Sequence, residues 1–283
     1  MLKKLKSFWS QYNFIVIFLG IFLIYLAING SQTTWTSVTN IFLHSAILGT
    51  IALGMGMIIL TGDIDLSVGS SFVLAGGLTI LFFNKVNSIF LALVMAVLLG
   101  AVFGLINGIL VGKFRMPAFI VTLATMLIYR SISQYMMNEL GQTRYSVDAT
   151  LSKYQPLFQF GNGNFLTISY IALVFLAVAL LLIYVTTSTK YGKRVYALGS
   201  NEKAALLAGV NVVWTRISVF VLCGACTGLA TFLKIAKDTS FDPATSGKNY
   251  ELYSIAAVVI GGISMTGGRG KILGIIFGTM SFT

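Results

Sequence analysis

The stretch 92–112, ALVMAVLLGAVFGLINGILVG, carries no charged residue. As an α-helix rising about 1.5 Å per residue it is about 30 Å long, the thickness of a bilayer's hydrocarbon core. Within it Ala92, Ala96, Gly100, Gly104, Gly108 and Gly112 recur every fourth residue. That spacing sets the small residues along one helix face, where a second backbone can approach closely. The sets Gly224/Gly228 and Gly270/Gly274/Gly278 repeat the device. Gly100, Gly104, Gly108 and Gly112 therefore read as a helix-packing face and not as a ligand site.

Similar apolar runs recur on both sides. Spans are predicted near 13–29, 41–61, 66–83, 89–111, 117–137, 165–187, 214–234, 252–264 and 270–283. They are predicted as helices, because an isolated strand leaves its backbone unsatisfied in lipid. A closed barrel is disfavoured, since its strands would alternate apolar and polar residues. Composition agrees: 57% of the 283 residues are hydrophobic and 10% charged, against roughly 25% charged in soluble domains. The expectation is an all-α, polytopic transmembrane helix bundle, one domain over 1–283 in contact with membrane lipid.

The net charge of +11 is spread singly and in small groups between the apolar runs. That pattern sets orientation and does not form a nucleic-acid face, so no nucleic acid is expected. With the N-terminus in the cytoplasm, the inner side receives Lys3, Lys4, Lys6, Lys113, Arg115, Lys190, Lys193, Arg194, Lys203, Arg269 and Lys271. The outer side receives Lys85, Arg144, Lys153, Lys237 and Lys248. The first apolar run is too long for a signal peptide and no Ala-x-Ala-like site closes it, so it reads as a retained span.

Four stretches interrupt the apolar pattern. In 61–70, TGDIDLSVGS, Asp63 and Asp65 stand between two spans. An ionised Asp in lipid costs about 2.5–3.5 kcal/mol, so the segment lies at a membrane face or caps a broken helix. Asp65 is placed to cap a helix starting near Leu66. A plain helix break and a pathway-lining or gating element both stay open, with Asp63, Asp65, Ser67, Asn107 and Thr122 as the gating candidates. In the second stretch Lys113 and Arg115 precede Pro117, which suits the first turn of a new span; Arg130 within that span is either paired or functional, or it snorkels toward the outer interface. The third, 188–213, is a hydrophilic inner loop. Its segment 201–208 is predicted as a short helix with Asn201 as N-cap, Glu202 in the first turn and Gly209 as the stop. Such a helix invites docking into a partner's groove. The fourth, 261–271, is glycine-rich but lacks the G-x-x-x-x-G-K-[ST] pattern of a phosphate loop, and reads as a tight inner turn.

A weak internal repeat relates 59–64 to 259–263, both ending a span at a glycine. The outer loop 138–164 is either a landing surface for an extracellular partner or a plain connection. Cys223 and Cys226 lie inside an apolar helix and read as packing residues. With one histidine, His44, no metal site and no cofactor are expected.

Taken in order, ILTGDIDLSVGS, NGILVGKFRMPAFIVTLATM, YGKRVYALGSNEKAALLAGV and VVIGGISMTGGRGKILG resemble the permease family of ribose-, xylose- and galactose-type ABC importers, which includes autoinducer-2-type transporters. The resemblance covers nearly the whole chain from about Leu43. It implies ten spans, of which about nine are present, since the chain stops at Thr283 inside a helix where such permeases continue through one span more. It implies a pathway formed by two permease subunits, homo- or heterodimeric. It also implies a cytoplasmic sugar-type ABC ATPase and an extracytoplasmic solute-binding protein as partners. The coupling contact to the ATPase would be Asn201, Glu202, Lys203, Ala204, Ala205, Leu207 and Gly209. The chain would not itself be an enzyme, because ATP is hydrolysed by the partner. Position 63 departs from the family, which usually carries a small residue there. A stand-alone secondary transporter is the competing reading, but such proteins place ionisable groups mid-span, and here Arg130 stands alone in that respect.

Overall fold

The structure, a computed structural model, describes residues 2–30 and 34–282. Thr283, the end of the ninth expected span, lies outside them, as do the side chains of Lys3, Lys4 and Lys6. Twelve helices are present among the described residues: α1 (Leu2–Asn29), α2 (Trp35–Leu60), α3 (Val68–Val86), α4 (Ile89–Gly112), α5 (Ala118–Glu139), α6 (Tyr154–Asn162), α7 (Tyr170–Ser188), α8 (Lys190–Ser200), α9 (Glu202–Leu207), α10 (Val212–Asp238), α11 (Tyr250–Ile260) and α12 (Ile272–Phe282). Each of the nine predicted spans is occupied by one helix.

Five helices, α2, α3, α4, α7 and α10, are long and apolar enough to cross a bilayer. The apolar part of α1, α11 and α12 are shorter. Hydropathy alone thus supports a multi-pass bundle but not the count of nine. Two features depart from an all-helical expectation. β1 (Tyr145–Ser146) pairs antiparallel with β4 (Ser240–Phe241), and β2 (Asn164–Phe165) with β3 (Ile168–Ser169). Both ladders lie on the face that carries the loop 138–164.

The centre of the bundle is α10 against α4, and glycine makes the contact. A Cβ on Gly100 would strike the Gly224 carbonyl, one on Gly104 the Phe220 carbonyl, and one on Gly228 the Ala96 carbonyl. Further along, a Cβ on Gly108 would lie 3.0 Å from the Ile217 carbonyl and one on Gly112 3.1 Å from that of Val213. The row in 92–112 thus faces α10 along nearly its full length, and the two backbones touch where lipid offers no hydrophobic gain for association. The same device joins α11 to α12, where Gly274 meets the Gly261 carbonyl and Gly278 that of Ala257. α2 fills the remaining core. Its residues 45–60 are all buried, and Gly54 lies against Cys223 and Cys226, both free thiols buried as packing residues.

Candidate functional site

α2 ends in a tight glycine cap. Gly62, at φ +83°, donates to Ile59, and Asp63 donates to Ile58. α11 ends the same way: Gly262, at φ +82°, donates to Val259, and Ile263 to Val258. Both are Schellman caps, which need a left-handed residue after the helix and so favour glycine. The repeat between 59–64 and 259–263 is therefore a repeat of backbone geometry.

Beyond the first cap lies a buried polar cluster. Asp65 Oδ1 accepts the Ser67 amide at 2.8 Å and the Ser67 hydroxyl at 2.6 Å. Asn107 on α4 donates to Ser67 Oγ at 2.8 Å. Thr122 on α5 donates to the Ala118 carbonyl at 2.8 Å and lies 3.4 Å from the Ile64 carbonyl. Asp65, Ser67, Asn107 and Thr122 are all buried. Burial pushes the Asp65 carboxyl above the usual carboxylate range, opposed by the Ser67 and Asn107 donors. The expected cap at Leu66 is corrected: α3 begins at Val68 with Ser67 at the cap position. Residues 65–67 form a turn first, and Asp65 satisfies the Ser67 amide two residues on instead of an amide inside the helix.

Asp63 points elsewhere. It accepts from Arg216 Nε at 2.8 Å, while Arg216 Nη2 donates to Glu202 at 3.0 Å. The break after α2 and the first turn of α9 are thus held by one guanidinium on α10.

The inner segment 188–213 contains α9 in the place and with the ends predicted. Asn201 Oδ1 accepts from the Ala204 amide at 3.0 Å, and Gly209, at φ +79°, closes the helix. Asn201, Glu202, Lys203, Ala204, Leu207 and Gly209 are exposed, Leu207 to 89%. Ala205 instead faces inward and is buried, so it anchors the helix and is not presented outward. α8, read as loop in the sequence, is a helix capped by Thr189, whose hydroxyl accepts from Gly192 N. Its far end is wedged into the bundle: a Cβ on Gly199 would strike the Leu60 carbonyl, and Gly268 N donates to that same carbonyl at 2.9 Å. Tyr196 donates to the Gly270 carbonyl at 2.8 Å. The end of α2, the 261–271 turn and the root of α9 therefore meet at one glycine junction. A cleft of ≈ 300 Å³ opens beside it, lined by Arg115, Glu202, Leu206, Asn211 and Arg216 among others.

On the opposite face the loop 138–164 is held down. Asn84 donates to the Ser146 carbonyl and accepts from the Asp148 amide, and the Tyr145 hydroxyl donates to the Ser133 carbonyl. Arg130 is paired: its Nη1 donates to the Pro243 and Ser246 carbonyls, each at 2.9 Å. It fixes the segment 242–249, which folds back until Gly247 packs on the Gly69 backbone near the start of α3.

Of the predicted residues, the structure brings together Asp65, Ser67 and Asn107, sets Thr122 beside them, and joins Asp63 to Glu202. Sequence reading missed Arg216 altogether. It falls at the start of the predicted span 214–234, where no local motif singles it out. Among the described residues no group of His, Cys, Asp or Glu is assembled for a metal.

Residues 37–283 match the family described as "Branched-chain amino acid transport system / permease component". The chain is 37% identical over 267 residues to the ribose import permease protein RbsC of Bacillus subtilis, covering 93% of this chain and 80% of that one. It is 33% identical over 276 residues to RbsC of Escherichia coli K12, covering 97% and 84%. It is 34% identical over 244 residues to the L-arabinose ABC transporter permease protein AraH of Azospirillum brasilense, covering 86% and 69%. No solved structure matches the chain. A match across so much of the chain, on a bundle built to cross a membrane, places the protein in the family of ABC-type permease components, as a multi-pass membrane protein.

Proposed function

We propose that the chain is the inner-membrane permease subunit of an importer for a monosaccharide or similar solute, driven by ATP hydrolysis on a separate cytoplasmic subunit. The similar proteins carry the names of ribose and L-arabinose permeases, and that is the ground for a sugar in place of the amino acid of the family description. The observation that carries the coupling part is α9. It stands clear of the bundle with Leu206 and Leu207 outward, yet its root is tied to the end of α2 and the start of α10. An apolar tip on a tethered helix suits a groove on a motor subunit.

In this reading nine helices cross the membrane with the N-terminus inside, and α9 lies in the cytosol. The ATPase meets Asn201, Lys203, Ala204, Leu207 and Gly209, while Glu202 on the same helix turns back to Arg216. A second permease subunit completes the pathway. A solute-binding protein lands on the outer layer formed by 138–164 and 242–249. Asp65, Ser67, Asn107 and Thr122 serve the gate as buried packing that changes partners, because burial keeps all four from solute in this state. Asp63 belongs to the coupling side through Arg216.

The test is reconstitution with a sugar-type ABC ATPase and a solute-binding protein, supplying ribose, L-arabinose, D-allose and leucine in turn. ATP-dependent uptake of one sugar is expected. Uptake by the permease alone without ATP, or ATP-driven uptake of leucine only, would refute the proposal.

A further inference from the structure

Arg216 on α10 carries two ion pairs, each to a separate segment of the chain. Its Nε serves Asp63 and its Nη2 serves Glu202, so both bonds exist at once and the acids do not compete for one donor. A planar guanidinium fork can do this, whereas a lysine offers one point charge. The two bonds differ in surroundings. The Arg216 and Asp63 side chains are each 14% exposed, while Glu202 is 50% exposed. A buried pair is screened little, and an exposed one is screened by salt and competes with water. The Asp63 bond is therefore the firm one and the Glu202 bond the one that opens.

The rest of α9 is lightly held. Ala205 is its one buried residue, and nothing lies within 4 Å of a Cβ built on Gly209. Ala205 and the Glu202 bond are thus what hold the helix against the membrane domain. A push on Leu206 and Leu207 therefore bears on that bond.

We propose that Arg216 is a positioning residue for energy coupling: it keeps α9 in register with the break between α2 and α3. The Glu202 bond opens and re-forms in each cycle while the Asp63 bond persists. This rests on the permease reading above. It also assigns Glu202 a different task from a direct ATPase contact, since Glu202 acts through Arg216 inside the same chain.

A double-mutant cycle on the reconstituted complex of permease, ATPase and binding protein separates the two tasks. The readouts are sugar imported per ATP hydrolysed, and ATPase co-purifying with the permease. Glu202→Gln and Arg216→Gln should each lower the import ratio by roughly fivefold or more, the scale of a modest coupling free energy, with the ATPase still bound. The double variant should fall no further than the worse single one. Arg216→Lys should recover part of the ratio, and it takes the place of Arg216→Gln in the cycle if that variant yields no protein. Multiplying effects in the double variant, or a wild-type ratio in both single variants, overturn the proposal while leaving the permease reading intact. Failure of the unmodified complex to couple any sugar to ATP overturns the permease reading instead.

Discussion

Asp65 shows how one buried carboxyl sets a measurable stability term. Its Oδ1 accepts from the Ser67 amide and hydroxyl, and burial holds its carboxyl above the usual range. A carboxyl whose folded pKa lies above its unfolded value, about 3.9, binds its proton more tightly in the folded state. The stability it contributes is present below that unfolded value and is lost as pH rises through the folded one. Asp65→Asn keeps an acceptor for Ser67 without the charge, and should remove that loss. Asp65→Ala strands the Ser67 donors in a buried site and should cost about 1–3 kcal/mol. Thermal unfolding in detergent from about pH 4 upward reads both; an Asn variant that loses stability as steeply as the parent would count against the assignment. The carboxyl pair at 63 and 65 was visible in the sequence, but its division was not. The partner that draws Asp63 away is 153 positions along the chain, and no local pattern announces it. Glu202 lies 14 positions before the same arginine, beyond the reach of helical spacing.

At the scale of elements, the glycine row on α4 is a case where spacing in the chain translates directly into contact in space. The period of four was legible because small residues leave a groove only when they share a face. Its consequence is testable against propensity. Alanine in a helix interior is favoured over glycine by about 1 kcal/mol, yet a Cβ on Gly100 meets the Gly224 carbonyl. Overpacking of that kind costs about 1–3 kcal/mol, so Gly100→Ala should destabilise the bundle or leave it unimproved. Gly20 on α1 has nothing within 4 Å of its virtual Cβ, and Gly20→Ala should be neutral or stabilising. Unfolding midpoints of the two variants, measured side by side, decide it: a Gly100→Ala variant stabilised as much as Gly20→Ala would break the close-contact account. α8 was missed by the same kind of reading. Gly192 and the basic residues Lys190, Lys193 and Arg194 looked like loop, and its buried face of Gly192, Val195 and Leu198 is too short to stand out from a hydrophilic segment. The helix exists because its far end packs into the junction, which is a tertiary cause.

The molecule as a whole has two unlike ends. One gathers the caps of α2 and α11, the root of α9 and the Arg216 ion pairs. The other carries the short ladders, α6 and the segment that Arg130 ties down. Lateral organisation was readable from hydropathy, because apolar runs of bilayer length have few other fates in a chain so poor in charge. The vertical link between the ends was not, because it runs along packed helices and not through a motif. The sidedness proposed here places α9 in the cytosol and the β2–β3 hairpin outside. Leu207 is 89% exposed and Leu166 86% exposed, so each can carry a reporter without disturbing the core. The native thiols Cys223 and Cys226 are buried and give little background. A membrane-impermeant maleimide should label Leu166→Cys in intact spheroplasts, and should label Leu207→Cys only after the membrane is opened. Labelling of Leu207→Cys from the outside would place the tethered helix on the wrong side for a cytosolic motor, and the coupling role of Arg216 would fall with it.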